Sequence, residues 1–166
     1  MGTSFKGYTR DKNEFEKPEL IDKFIAICKT AGHDICITCT ARDYKFQTAL
    51  FAQGREKLAE VNRLRKMCGV YLITAEENKK QVTWTMSSKH IVNLEDDKLD
   101  NEKARAFDFC IKKHSDNDCD WDIKADTNGD GISDYRECSL LGESLGLISG
   151  MRFKTADWPH LELPDA

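Results

Sequence analysis

Residues 104–111, Ala-Arg-Ala-Phe-Asp-Phe-Cys-Ile, alternate so regularly that they specify a β-strand. Successive side chains on a strand point to opposite faces. Arg105, Phe107, Phe109 and Ile111 therefore share one face, and Ala104, Ala106, Asp108 and Cys110 share the other. The first face is bulky and apolar and has to be covered by a core. The second is small except for one carboxylate, as expected of a strand flooring a cleft. A carboxylate buried there needs a partner, which makes Asp108 a candidate site residue.

The segments around this strand supply its cover. Pro18 suits a first helical position, and Leu20, Ile21, Phe24, Ile25 and Cys28 form an apolar stripe, so residues 18–31 are expected to be a helix. Residues 34–40 alternate as a half-buried strand. Asp43 is a good N-cap for a helix that buries Phe46 and Leu50 and stops at Gly54. A third helix is expected over 56–68, a short strand over 81–85, and a fourth helix over 135–145 ending at Gly146. Residues 147–154 and 157–163 are expected to be strands or extended segments. The polar run 91–103 is expected to be a charged loop and an insertion. Helices early and strands late predict an α+β fold, with a small, mainly antiparallel sheet flanked by helices in a single domain over residues 1–166.

Composition narrows the class. Charged residues make up 33% and hydrophobic residues 40% of the chain, and the net charge is −4. That charge offers no argument for nucleic acid or an anionic membrane surface as a partner. No apolar run approaches the roughly 20 residues of a membrane span. The polar first twenty residues lack a signal-peptide core, so the expectation is a monomer that starts in the cytoplasm. The seven cysteines, an odd number without an export signal, are expected to be reduced thiols rather than a disulfide framework. Cys36 and Cys39 form a Cys-x-x-Cys pair with no second pair to complete a zinc knuckle. On a regular strand the two would face opposite sides, so they are expected to be ordinary buried thiols.

Three potential zinc ligands lie in His90, Asp108 and His160. Two imidazoles and one carboxylate make a three-ligand set that leaves a fourth position for water, the arrangement hydrolysis requires. Asp157, three residues before His160, is placed to take a proton from that water. An ideal strand would put 157 and 160 on opposite faces, so the chain has to bend between them, and Trp158-Pro159 is the place for it.

These residues resemble a known family: the zinc peptidases that include D-alanyl-D-alanine carboxypeptidases, vancomycin-resistance dipeptidases and phage L-alanyl-D-glutamate endopeptidases. The resemblance rests on Ser88-Lys89-His90, Ala106-Phe107-Asp108 and Asp157-Trp158-Pro159-His160. Thr40-Ala41-Arg42-Asp43-Tyr44, Gln47, Leu50, Ala52-Gln53-Gly54-Arg55 and the 143–147 stretch add to it. Relatives usually place the first His and Asp about seven residues apart with a Gly between. Here 18 positions separate His90 from Asp108, which the 91–103 insertion accounts for; His33 and His114 are the alternative ligands. The resemblance implies zinc on His90, Asp108 and His160, Asp157 as general base and then acid, Arg42 stabilising the substrate carbonyl or oxyanion, and Ser88 supporting the site or contacting substrate.

A second metal motif lies at 126–137. Oxygen ligands at positions 1, 3, 5, 9 and 12 are Asp126, Asn128, Asp130, Asp134 and Glu137, Ile132 offers its carbonyl at position 7, and Gly131 stands at the turn position. This is the spacing of an EF-hand-like calcium loop, although residues 115–125 do not read as the helix that would precede it. Calcium is expected to order the loop and the helix after it.

The expected function is hydrolysis of the peptidoglycan stem peptide by a phage endolysin, with L-alanyl-D-glutamate endopeptidase activity and release to the cell wall. A D-alanyl-D-alanine carboxypeptidase or dipeptidase is the enzymatic alternative, and a non-catalytic metal-binding module the other.

Overall fold

The computed structural model describes residues 5, 7–83, 85, 88–92, 103–113, 115–116 and 118–165. Among the described residues, four α-helices, α1 (Pro18–Thr30), α2 (Tyr44–Ala52), α3 (Leu58–Met67) and α4 (Asp134–Ser144), accompany five strands. The strands are β1 (Ile35–Cys39), β2 (Ala106–Lys112), β3 (Cys119–Asp120), β4 (Ile148–Ser149) and β5 (His160–Glu162). They form one antiparallel sheet in the order β1-β2-β5-β4, with β3 also on β2. The architecture is thus α+β with a small antiparallel sheet. Among the described residues, no helix is long and apolar enough to cross a membrane.

The core forms on the bulky face of β2. Phe107, Phe109 and Ile111 are buried against Phe15, Ile21, Phe24, Tyr135 and Cys138. Phe107 meets Phe15 edge-on at 5.2 Å between centroids, and Phe24 meets Phe109 at 5.0 Å. Each such ring removed from water contributes about 1.5–3 kcal/mol, so β2, covered on this one face by α1 and α4, is the anchor of the fold. Its small face is left for chemistry.

Local signals placed the helices well. Pro18 opens α1, and Asp43 caps α2 by accepting from Phe46 N–H at 2.7 Å while its other oxygen accepts from Gly7 N–H at 2.9 Å. The last segment pairs over fewer residues than its pattern suggests, because the chain enters a 3-10 turn at Gly150–Arg152 directly after β4.

Three expectations need correction. Residues 81–83 and 85 are not strand; carbonyls in this segment serve side chains, Thr83 O accepting from Arg55 and Thr85 O from Gln47. The charged segment does not begin at 91: Ile91 and Val92 are buried, held to Arg42 by backbone bonds, while 93–102 lie outside the described residues. The thiols are not all reduced. Cys110 and Cys119 form a disulfide between β2 and β3, their Cα atoms 5.6 Å apart, and Cys28, Cys36, Cys39, Cys68 and Cys138 are free. A two-residue strand leaves no periodic signal, so the pairing that brings Cys119 to β2 was invisible in the sequence.

Candidate functional site

Asp108 sits at the centre of the small face of β2, directly paired with His160 of β5. His90 arrives from a turn. Arg42 N–H donates to His90 O at 2.8 Å, Val92 N–H donates to Arg42 O at 3.0 Å, and Arg105 N–H donates to Lys89 O at 2.8 Å, so the 89–92 turn is fastened on both sides. The Ser88 hydroxyl accepts from His90 N–H at 3.2 Å and shapes the same turn. Residues far apart in sequence thus converge on one carboxylate.

The convergence is tight. His90 Nε2 and His160 Nδ1 each lie 3.1 Å from Asp108 Oδ1, and 3.3 Å from one another. Zinc–nitrogen bonds of about 2.0–2.1 Å in tetrahedral geometry require donor atoms roughly 3.3–3.4 Å apart. The triangle needs to expand by only a few tenths of an ångström to hold such an ion, so His90, Asp108 and His160 fit a zinc site.

The far sides of both imidazoles are fixed. His90 Nδ1 is 2.7 Å from Thr40 O, and His160 Nε2 is 2.9 Å from Glu162 Oε1. An N–H donated to each acceptor leaves the opposite nitrogen of each ring as the one facing the triangle. Lys89 Nζ, 2.7 Å from Glu162 Oε2, steadies that carboxylate. Arg42 Nη2 donates to Asp108 Oδ2 at 3.0 Å and Nη1 to Gln47 Oε1 at 3.1 Å, so Asp108 presents a single oxygen to the histidines.

Electrostatics follow from this crowding. Burial alone would raise the Asp108 carboxyl, but His90, His160 and Arg42 together hold it well below the usual range. Burial would lower His90, yet Asp108 pushes it up to about 10. His160 rises as well: burial again opposes, and hydrogen bonds to Asp108 and Glu162 outweigh it. A proton therefore occupies the position between histidine and carboxylate that a cation would take.

Asp157 completes the group. The chain turns at Trp158-Pro159, with His160 N–H donating to Asp157 O at 3.3 Å, and Asp157 Oδ2 comes 3.8 Å from His160 Nδ1. Burial raises its carboxyl, and the Asp108 charge adds to the rise against His160, His90 and Arg42. Its side chain is 43% exposed against 16% for Asp108 and 1% for His90, so solvent reaches the triangle from the Asp157 side. A half-exposed carboxyl raised above its ordinary value suits proton transfer.

Sequence reasoning missed several supports. Lys89 and Thr40 stand inside quoted motifs and Glu162 outside them, and no role was expected of any of the three. Gly150 packs beneath Asp157 and His160 so closely that a Cβ there would overlap the Asp157 carbonyl; a glycine opening the turn before the last motif was its only signal. His33, an alternative ligand, lies elsewhere, 2.6 Å from Glu137, and His114 lies outside the described residues.

In the 126–137 loop, Gly129 and Gly131 take positive φ values of 69° and 86°. Asp126 Oδ2 accepts from Gly131 N–H at 2.9 Å, Asn128 Oδ1 from Asp130 N–H at 3.3 Å, and Asp130 Oδ1 from Ile132 N–H at 2.8 Å, so side chains at 1, 3 and 5 wrap the turn inward. Asp134 and Glu137 are engaged otherwise. Asp134 opens α4 and accepts from Thr127, while Glu137 meets His33 and Asn128.

No family model matches the chain. Over 145 residues, 86% of this chain and 68% of the other protein, it is 28% identical to the peptidoglycan L-alanyl-D-glutamate endopeptidase CwlK of Bacillus subtilis (strain 168).

Proposed function

We propose that the protein is a zinc-dependent peptidase of the peptidoglycan stem peptide, cutting the L-alanyl-D-glutamate bond as a phage-type endolysin released to the cell wall. The observation that carries this reading is the triangle of His90 Nε2, His160 Nδ1 and Asp108 Oδ1, with edges of 3.1–3.3 Å and Asp157 beside it. The similarity to an endopeptidase over 86% of the chain supports the substrate class and the bond.

In this reading His90, Asp108 and His160 hold the zinc, which when bound acts as a Lewis acid and activates water near neutral pH. Asp157 accepts a proton from the attacking water and delivers it to the amine nitrogen of the leaving D-glutamate. Arg42 keeps Asp108 on one oxygen and sets positive charge beside the carbonyl oxygen of L-alanine as that oxygen becomes anionic. Ser88 braces His90 through its accepted bond and keeps its hydroxyl hydrogen to donate toward substrate. The chain acts as a monomer on a cell-wall peptide.

The same reading places calcium in the 126–137 loop on Asp126, Asn128, Asp130, the Ile132 carbonyl, Asp134 and Glu137. Its inward-turned side chains and two left-handed glycines support this. Calcium bound there would draw Glu137 from His33 and order α4, which leads into the C-terminal segment bearing Asp157 and His160. Calcium titration of cleavage tests it: rates rise with calcium and Asp130→Ala loses the response, whereas indifference to both removes the regulatory idea.

Purified cell wall digested by the zinc-loaded protein, with Asp157→Ala as control, tests the main reading by mass spectrometry of the new termini. L-alanine carboxyl ends and D-glutamate amines are expected. Free D-alanine would instead identify a carboxypeptidase. Zinc binding without cleavage of wall, stem peptide or D-alanyl-D-alanine would leave a non-catalytic metal module.

A further inference from the structure

β1 is not a regular strand. Ile35, Cys36 and Ile37 pair in sequence with Ile111, Cys110 and Phe109, and continuation would set Thr38 opposite Asp108. The register instead shifts between Ile37 and Cys39, and Cys39 becomes the partner of Asp108. Bulges of this kind redirect a side chain and are frequent beside active sites. The sheet thus carries a row of three, Cys39 on β1, Asp108 on β2 and His160 on β5.

The shift places the thiol among charged groups. Cys39 Sγ, a nitrogen of His90 and a carboxylate oxygen of Asp108 all lie within 4.8 Å of one another. Cys39 is only 7% exposed, yet it is not part of the main apolar core, where Cys28 and Cys138 pack among Phe24, Phe109 and Tyr135. A thiol filling space belongs with apolar neighbours; this one faces Arg42, His90 and Asp108.

Building on the metal-centre reading above, we propose that Cys39 is a thiol donor to the same centre. With His90 and Asp108 it forms a second three-donor set that takes thiophilic divalent ions. The two sets share His90 and Asp108 and differ in one member, sulfur for imidazole. Soft sulfur ligands favour soft and borderline ions. When an ion binds here a sulfur–metal bond forms, the thiol proton goes to solvent, and no oxidation occurs. Because the two sets share His90 and Asp108, they are not filled at once, and occupation of this set inhibits hydrolysis.

Cadmium, the soft probe, tests this in the full chain at one equivalent. Expected is an ultraviolet thiolate-to-cadmium absorption that Cys39→Ser abolishes and that Cys36→Ser and His160→Ala retain. Cadmium inhibition of cleavage weakens at least about tenfold in Cys39→Ser, the scale on which changes around a metal alter its affinity. Cadmium NMR of the unsubstituted protein reports sulfur ligation even if the serine variant folds poorly. Cadmium that binds stoichiometrically without a sulfur signal, or with one that survives Cys39→Ser, overturns the proposal. If zinc binding is then still lost in His160→Ala, the hydrolytic set stands and only this inference falls. If neither zinc nor cadmium binds in a manner dependent on His90, both fall together.

Discussion

Replacing Glu162 with glutamine tests how much the proposed zinc centre would depend on residues that do not touch the ion. Glu162 Oε1 lies 2.9 Å from His160 Nε2, and Oε2 lies 2.7 Å from Lys89 Nζ. Burial would raise this carboxyl, but His160 and Lys89 hold it below its ordinary value, so it is ionised at neutral pH. A hydrogen bond to a charged partner contributes about 1.5–3 kcal/mol, and a neutral one about 0.5–1.5. Glutamine keeps the shape and the acceptor but loses the charge, a difference of about 1–1.5 kcal/mol, or roughly tenfold in zinc affinity. This is the low end of the 10–100-fold range for partners of metal-bound histidines. Lys89 retains the Leu163 carbonyl at 2.7 Å, so the fold should hold. Competition with a chromophoric chelator measures the affinity, and wall cleavage should recover at saturating zinc. An affinity within about twofold of the original, or a cleavage defect that excess zinc leaves in place, would refute the argument.

Two further outcomes follow from the core and the charges. Metal-free protein should lose stability from about pH 6.5 toward pH 10. His90 is raised to about 10 in the folded state, so its contribution is fully present below the unfolded value of about 6.5 and disappears as pH rises through the folded value, a loss of a few kcal/mol. Thermal melts of chelated protein across that range check the sign, and zinc-loaded protein should lack the trend. Phe107→Ala should cost about 3–5 kcal/mol in urea denaturation by opening a cavity between Phe15 and Phe24; a loss under about 1 kcal/mol would mean that the core collapses around the gap.

The legible parts of this protein are those whose signal is local. Pro18 and the Ile21–Phe24–Cys28 stripe specify α1, and Asp43 specifies the start of α2. The alternation around Phe107 and Phe109 specifies both the anchor strand and the face that Asp108 occupies. The bend at Trp158-Pro159 was required if Asp157 and His160 were to meet, and it is there. The illegible parts depend on pairing between distant segments. Cys119 reaches β2 through a strand of two residues. Thr40 and Glu162 become imidazole partners only once β1, β5 and the 89–92 turn are assembled.

Cys39 marks the boundary between the two kinds of information. The sequence alone indicates a strand within 34–40 and an Asp108 that stands alone on a small-residue face, because side-chain alternation is a property of one chain segment. It also determines which residue types are available to hold an ion. Which of them meet was decided by the tertiary structure. The bulge in β1, the pairing of Asp108 with His160 and the backbone bonds that fasten His90 to Arg42 are set by the register between strands, which no single segment encodes.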